Sequence, residues 1–279
     1  MKLSVIHETH YKYSSPVPLS HQLLHLTPRE LPWQTCTAYR LTVEPAPAEQ
    51  EERNDYYGNP TVRVLLATPH DELLVRAESE VDVQPRAQAA SLPGEPSEFV
   101  HESPHVETWR ELTDYAGKSA IQGRPPLEVA TDLMRRIHRD FKFDRTATSV
   151  STPLRQVMKQ KSGVCQDFAH LMTAGLRALA IPARYVSGYI LTKPPPGRAR
   201  LVGADASHAW VSVFAGEWID LDPTNNRVVD DEYVTLAWGR DFDDVTPMRG
   251  VILGGGEQQL AVRVTVAPLE RAPIESVDG

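Results

Sequence analysis

Cysteine is nearly absent: the 279-residue chain has two, Cys36 and Cys165. Two thiols are too few for a disulfide framework in a chain of this size. Each therefore needs its own explanation, as packing or as chemistry. Positive charge is also in deficit, with 29 Lys and Arg against 37 Asp and Glu and a formal net charge of −8. An acidic balance repels phosphate backbones, so no nucleic-acid partner is expected. Long apolar runs are missing too. No stretch reaches the roughly 18 consecutive apolar residues of a membrane span, so no membrane partner is expected. The opening MKLSVIHETHYKY puts His, Glu and Tyr where a secretory leader carries its apolar run. The expected location is therefore the cytoplasm.

What is present is ordinary for a folded protein, with 41% hydrophobic and 24% charged residues. At roughly 150 residues per domain, the length fits one large domain or two modest ones. Proline is the exception. The 23 prolines exceed the usual share of about 5%, and their clusters mark linkers.

Residues 1–85 read as an all-β domain. Leu3, Val5, His7, Thr9, Tyr11 and Tyr13 alternate with more polar neighbours. Cys36–Val43 repeats the period, which makes Cys36 core filler, and Thr61–Ala67 and Leu73–Val83 flank further turn signals. No helical stripe interrupts them, so a β-sandwich or small barrel is expected. Residues 86–104 are rich in Ala, Ser, Pro and Gly and read as a linker. Residues 105–279 then form a second domain.

Within that domain the period first changes to 3.6. Helices are predicted over Val106–Ala116, from Pro125-Pro126 through Phe141, after Pro153, and over Val164–Ala180 with Val164, Phe168, Leu171, Gly175, Leu176 and Leu179 inward. Strands return at Ala183–Leu191, Ala209–Phe214, Glu217–Leu221 and Leu260–Ala267. Helices in a block followed by strands in a block imply α+β with an antiparallel sheet.

Three segments carry candidate chemistry. In Ser162-Gly163-Val164-Cys165-Gln166-Asp167, cap residues place Cys165 in the first turn of a helix. Free N–H groups and the positive helix end there favour a thiolate and can hold an oxyanion. In Ala206-Ser207-His208-Ala209-Trp210, His208 opens a strand, which holds an imidazole rigidly as a general base requires. In Trp218-Ile219-Asp220-Leu221-Asp222-Pro223-Thr224-Asn225-Asn226, two carboxylates share a strand face, and a hairpin through Ala215-Gly216 brings them beside His208. Taken singly, each has a bland reading: a buried thiol, a satisfied histidine, a turn.

Other features are decoys. His101-Glu102-Ser103-Pro104-His105 matches a zinc-helix pattern, but Pro104 forbids the continuous helix it needs. The pairs His7/His10 and His21/His25 lack a third ligand, and no cofactor or metal is expected. Gly254-Gly255-Gly256 lacks the Lys-Ser/Thr of a phosphate loop. Asp167 reads as a first-turn carboxylate and His170 as structural. The mixed charges Arg240, Asp241, Asp243, Asp244 and Arg249 read as a solvated loop, with substrate recognition as the weaker reading.

Together the three segments, in this chain order, resemble the transglutaminase-like superfamily of cysteine enzymes. The wording is close at Gly163-Val164-Cys165-Gln166-Asp167-Phe168-Ala169-His170, Ala206-Ser207-His208-Ala209-Trp210-Val211 and Asp222-Pro223-Thr224-Asn225-Asn226. His7-Glu8-Thr9-His10-Tyr11-Lys12-Tyr13 with Pro16-Val17 resembles the extra N-terminal β region of the bacterial branch. Gly239-Arg240-Asp241-Phe242 through Asp244-Val245, with Arg249-Gly250, resembles its C-terminal segment. Gln166 stands where the family often carries Arg, which bears on substrate preference and leaves the three residues untouched.

The resemblance implies a papain-like core with Cys165 as nucleophile, His208 as base and acid, and Asp222 orienting the imidazole. It also implies a peptide or protein substrate, attacked at an amide carbon to form a thioester. Hydrolysis is favoured, because water is always at hand while transamidation must exclude it and admit an amine. No calcium-loop spacing is visible. Transamidation and a non-catalytic binding scaffold are the alternatives. The Cys165 backbone N–H serves as one oxyanion donor, and Gln160 is a candidate for the second by analogy alone. Oligomeric state cannot be read.

Overall fold

The computed structural model describes residues 1–86, 96–192 and 207–269. Period-two alternation drives the N-terminal third into strands. These are β1 (Lys2–Val17), β2 (Leu19–Leu24), β3 (Gln34–Glu44), β4 (Glu49–Asn54), β5 (Pro60–Leu66) and β6 (His70–Val83). Along β1 the residues Leu3, Val5, His7 and Thr9 are buried while their neighbours are not, as one-faced burial requires.

Four helices follow the linker region: α1 (Arg110–Gly117), α2 (Pro126–Asp140), α3 (Leu154–Gln160) and α4 (Cys165–Ala178). Two short strands, β7 (Lys142–Phe143) and β8 (Ser162–Gly163), pair in parallel between them. Pro126 opens α2 at the position where a missing N–H costs nothing. α1 starts four residues later than the periodicity predicts, because Ser103 and Val106 exchange backbone hydrogen bonds in a tight bridge. The predicted linker also has structure: residues 96–100 form a short 3-10 helix that buries Phe99.

α4 is buried on every side from Asp167 to Arg177, not along one stripe. The other helices and a sheet surround it. A Cβ at Gly175 would lie 3.1 Å from Leu133 Cδ2 and 3.2 Å from Ala116 Cβ. The missing side chain lets α1 and α2 approach α4 this closely.

The sheet comprises β9 (Ala183–Ile190), β10 (Ser207–Phe214), β11 (Trp218–Asp222), β12 (Arg227–Val228) and β13 (Tyr233–Gly239), in the order β12-β11-β10-β9-β13 and antiparallel throughout. β13 is absent from the predicted strands. All seven of its residues are buried, so it has no polar face and no alternation to reveal it. A short helix α5 (Phe242–Val245) leads to the last strands, β14 (Met248–Leu253) and β15 (Gln258–Pro268).

These two strands correct the predicted division of the chain. β15 pairs with β1 in a sheet ordered β15-β1-β6-β3, and β14 pairs with β2 in a sheet ordered β14-β2-β5-β4. The polypeptide assigned to 105–279 thus returns to complete the N-terminal sandwich. One core, with Tyr13, Val17, Leu24, Val64, Leu66 and Leu73, fills the space between those sheets. A second, larger core joins Leu3, Val5, Val264 and Val266 to α4 and the five-stranded sheet. Among the described residues no helix is long and apolar enough to cross a membrane.

Candidate active site

The chain entering α4 is held from several directions. Phe143 pairs with Gly163, and the Asp144 N–H donates to the Gly163 carbonyl at 2.9 Å. Asp167 Oδ2 accepts the Val164 N–H at 2.8 Å and the Thr148 hydroxyl at 2.7 Å. It therefore satisfies an orphan donor of the first turn, as its position in the sequence predicts. Burial pushes the Asp167 carboxyl up, against the lowering effect of those two hydrogen bonds. Cys165, half-buried, is the first residue of α4.

His208 lies on β10 opposite Gly188 of β9. A Cβ at Gly188 would sit 2.5 Å from Trp210 Cη2, so the indole occupies the room a larger residue would need. His208 Nε2 is 2.7 Å from Asp222 Oδ2, and both side chains are buried. The Cys165 side chain is the ring's other polar neighbour. With Nε2 directed at the carboxylate, Nδ1 is the nitrogen left for the thiol. Burial alone disfavours the imidazolium, but the neighbouring Asp222 and Cys165 outweigh it and push His208 up to about 10. Asp222 is held below the usual carboxylate range. Its burial opposes this, and hydrogen bonds from His208, Asn225 and Tyr233 prevail.

The structure thus brings Cys165, His208 and Asp222 together. It also separates the two carboxylates of β11. Asp220 accepts from Trp210 Nε1 at 2.9 Å and pairs with Arg86 at 2.7 Å. Asp222 Oδ1 takes the backbone N–H groups of Thr224 at 2.8 Å and Asn225 at 3.1 Å. The Asp-Pro-Thr-Asn turn therefore orients the carboxylate as well as reversing the chain.

Sequence reasoning misses two residues here. The Asn225 side-chain amide and the Tyr233 hydroxyl each donate to Asp222 Oδ2 at 2.7 Å. Asn225 stands three residues after Asp222 and was within reach of a closer reading of that turn. Tyr233 had no signal, because its strand had none.

Several other expectations need adjustment. The Gln160 amide donates to the carbonyls of Ser162 at 2.9 Å and Ala147 at 3.3 Å, so its N–H groups are engaged rather than free to receive an oxyanion. Cys36 is half-buried at a bulge between β3 and β6 and is not core filler. Its Sγ donates to the Ala38 carbonyl at 3.3 Å, and burial followed by Glu30 pushes its thiol up. Within the charged segment, Asp241 is buried and caps α5, accepting from Asp243 N at 2.9 Å and His105 N at 3.0 Å. That residue is not part of a solvated loop.

His170 is structural, as its helix face predicts. It accepts the Phe242 N–H at 3.2 Å and stacks on His105 with ring centroids 5.4 Å apart. Burial, then the neighbouring His105, pushes it down to about 3. Residues 101–105 are not helical, and His105 Nε2 faces Asp243 Oδ1 at 3.0 Å. Among the described residues no three His, Cys, Asp or Glu side chains converge to hold a metal ion.

An imidazole that bridges a thiol and a buried carboxylate can take the thiol proton and return it to a leaving group. Known proteins share this framework. Residues 3–82 match the bacterial transglutaminase-like N-terminal region, and residues 114–223 match the transglutaminase-like superfamily. An uncharacterized protein of Mycobacterium tuberculosis is 40% identical over 290 aligned residues, covering 95% of this chain and 92% of that protein. A protein-glutamine gamma-glutamyltransferase of Pseudomonas aeruginosa is 32% identical over 152 residues, 53% of this chain but 21% of its own length. The crystal structure of a proposed cysteine protease from Cytophaga hutchinsonii superposes with a TM-score of 0.78 at 23% identity, covering 98% of this chain and 92% of that one. The described residues share the fold of that Cytophaga protein, and the chain belongs to the transglutaminase-like superfamily.

Proposed function

We propose that this protein is a cysteine-dependent acyl-transfer enzyme that hydrolyses peptide or isopeptide amide bonds. The observation that carries the reading is the His208 ring, bonded to the buried Asp222 carboxylate and neighboured by the Cys165 side chain. Before attack the Cys165 proton resides on His208, and the thiolate Sγ bonds to the amide carbon. The C–N bond then breaks, and the imidazolium gives that proton to the departing amine, which leaves a thioester. Asp222 holds the ring in the required tautomer and balances its charge. Water next attacks the thioester with His208 as base, releasing the carboxylic acid and regenerating the thiol. The Cys165 N–H at the start of α4 faces the developing oxyanion.

Transamidation is the second reading. It starts from the same thioester and replaces water with a lysine amine. What favours it is the match of half this chain to a protein-glutamine gamma-glutamyltransferase. What favours hydrolysis is that Cys165 is partly open to solvent, so water reaches the thioester without a closing motion.

The deciding experiment traps the acyl-enzyme on a peptide library and offers water and an alkylamine in competition. A free-acid product supports hydrolysis, and an amide product transfers the reading to transamidation. A thiol-directed electrophile separates both from an inert scaffold. Preferential labelling of Cys165 over Cys36, abolished by His208→Ala, supports the enzyme. Equal and sluggish labelling of the two would remove the catalytic reading altogether.

A further inference from the structure

Asp222 Oδ2 is crowded. His208 Nε2, Asn225 Nδ2 and Tyr233 Oη all lie 2.7 Å from it. A carboxylate oxygen offers about two lone-pair sites, so three donors compete for it. The arrangement is not a local accident of one turn. Tyr233 begins β13, at the edge of the sheet opposite β11 and β12. Its ring crosses the sheet end, 6.0 Å from the His208 ring and 5.4 Å from Trp210. A phenol brought this far to share one oxygen with a histidine must change what that oxygen does to the histidine.

We propose that Tyr233, helped by Asn225, is a positioning residue for the reaction proposed above: it draws charge from Asp222 Oδ2 and so loosens the carboxylate's hold on the His208 imidazolium. The inference rests on that catalytic reading. Its chemical sense lies in the second half of the acylation step. An imidazolium clamped by a bare buried carboxylate is a weak acid and gives its proton poorly to a departing amine. Two neutral donors on the same oxygen weaken the clamp and also fix the carboxylate's orientation. The tendency that they oppose is strong, because Asp222 and Cys165 together already push His208 up to about 10 despite its burial.

Among the described residues the charged neighbourhood is otherwise sparse. α4 presents Cys165 to the ring, β11 presents Asp222, and β9 presents only Gly188 opposite it. Behind Tyr233, Arg227 lies 5.4 Å over the phenol ring. Its charge is matched by Asp230 and by Glu232 at 2.9 Å. From α2, His138 reaches the Thr224 carbonyl at 2.9 Å and not the carboxylate.

The test follows His208 by nitrogen-15 histidine NMR in the full-length protein, titrated through the alkaline range, alongside alkylation of Cys165 and Cys36 by iodoacetamide. In Tyr233→Phe the His208 transition moves up by about half a pH unit or more, the scale of one lost hydrogen bond. Asn225→Ala moves it in the same direction, and that variant carries the test if Tyr233→Phe does not fold. A transition that stays in place or moves down in the folded variants overturns the proposal. A wild-type protein that alkylates Cys165 no faster than Cys36, whatever the fate of His208, overturns the catalytic reading instead and this proposal with it. The first failure leaves thiol reactivity intact, so the two are distinguishable.

Discussion

His7 Nδ1 lies 2.9 Å from Tyr189 Oη, which joins a buried histidine of the sandwich to the strand that runs beside His208. The other ring nitrogen faces Thr9 Oγ1 at 3.1 Å. Both partners are neutral, and burial pushes His7 from 6.5 down to about 4. The folded state therefore binds the proton less readily than the unfolded chain. Stability tied to this group is complete above pH 6.5 and is lost as pH falls towards about 4, a loss of about 3 kcal/mol. Urea unfolding at neutral and at mildly acidic pH will show this slope in the wild type and a shallower one in His7→Gln. Parallel slopes would mean that the acid sensitivity lies elsewhere.

Gly188 is a second point where packing and the site meet. A Cβ there would be 2.0 Å from the Val234 carbonyl oxygen and 2.5 Å from Trp210 Cη2. Neither the backbone of β13 nor a buried indole can give way cheaply. Gly188→Ala is expected to cost about 3 kcal/mol or more, a fall of about 6–12 °C in melting temperature for a chain of this size. Calorimetry measures it directly. A wild-type melting temperature would contradict the described contact between β9, β13 and Trp210.

How much of this could be read in advance depends on how local each signal is. β1 and β6 alternate because one face is buried, and the alternation is visible in the letters. Cys165, His208 and Asp222 each sit at the end of an element, where caps, turns and prolines announce the position. β13 is invisible to the same reading, since burial on both faces erases the period. The return of β14 and β15 to the sandwich is also invisible, because the register Leu3 with Pro268 joins the two ends of the chain and no local pattern encodes it. Asp167 was legible as a helix-start carboxylate, but its bond to Thr148 was not, for the same reason of sequence distance.

That bond has a consequence for the segment before α4. Thr148 lies in the connection between β7 and α3, and Asp167 Oδ2 ties it to the Val164 N–H. Asp167→Ala removes both hydrogen bonds and the first-turn cap, at an expected cost of about 1–2 kcal/mol. The Val164 amide should then exchange faster with deuterium, and residues 144–152 should become more open to limited proteolysis. Unchanged exchange at Val164 would show that the carboxylate does not secure the turn.

The two carboxylates of β11 make the sharpest contrast. Asp220 is buried with Arg86 at 2.7 Å and Trp210 Nε1 at 2.9 Å, and it also faces the buried Arg184. Asp220→Asn removes a buried counter-charge, so it should cost about 3–5 kcal/mol of stability. Cys165 labelling in the protein that remains folded should be affected little. Asp222→Asn keeps the shape but loses the charge beside His208, so turnover should fall by about two to four orders of magnitude. Its stability signature lies on the alkaline side. His208 is raised from 6.5 to about 10 in the fold, so the stability it contributes is complete below pH 6.5 and is lost as pH rises towards about 10. Asp222→Asn should lose that contribution and show a flatter stability profile over this window. Equal effects of the two substitutions on labelling and on unfolding would mean that the carboxylates share one role, contrary to their separate partners.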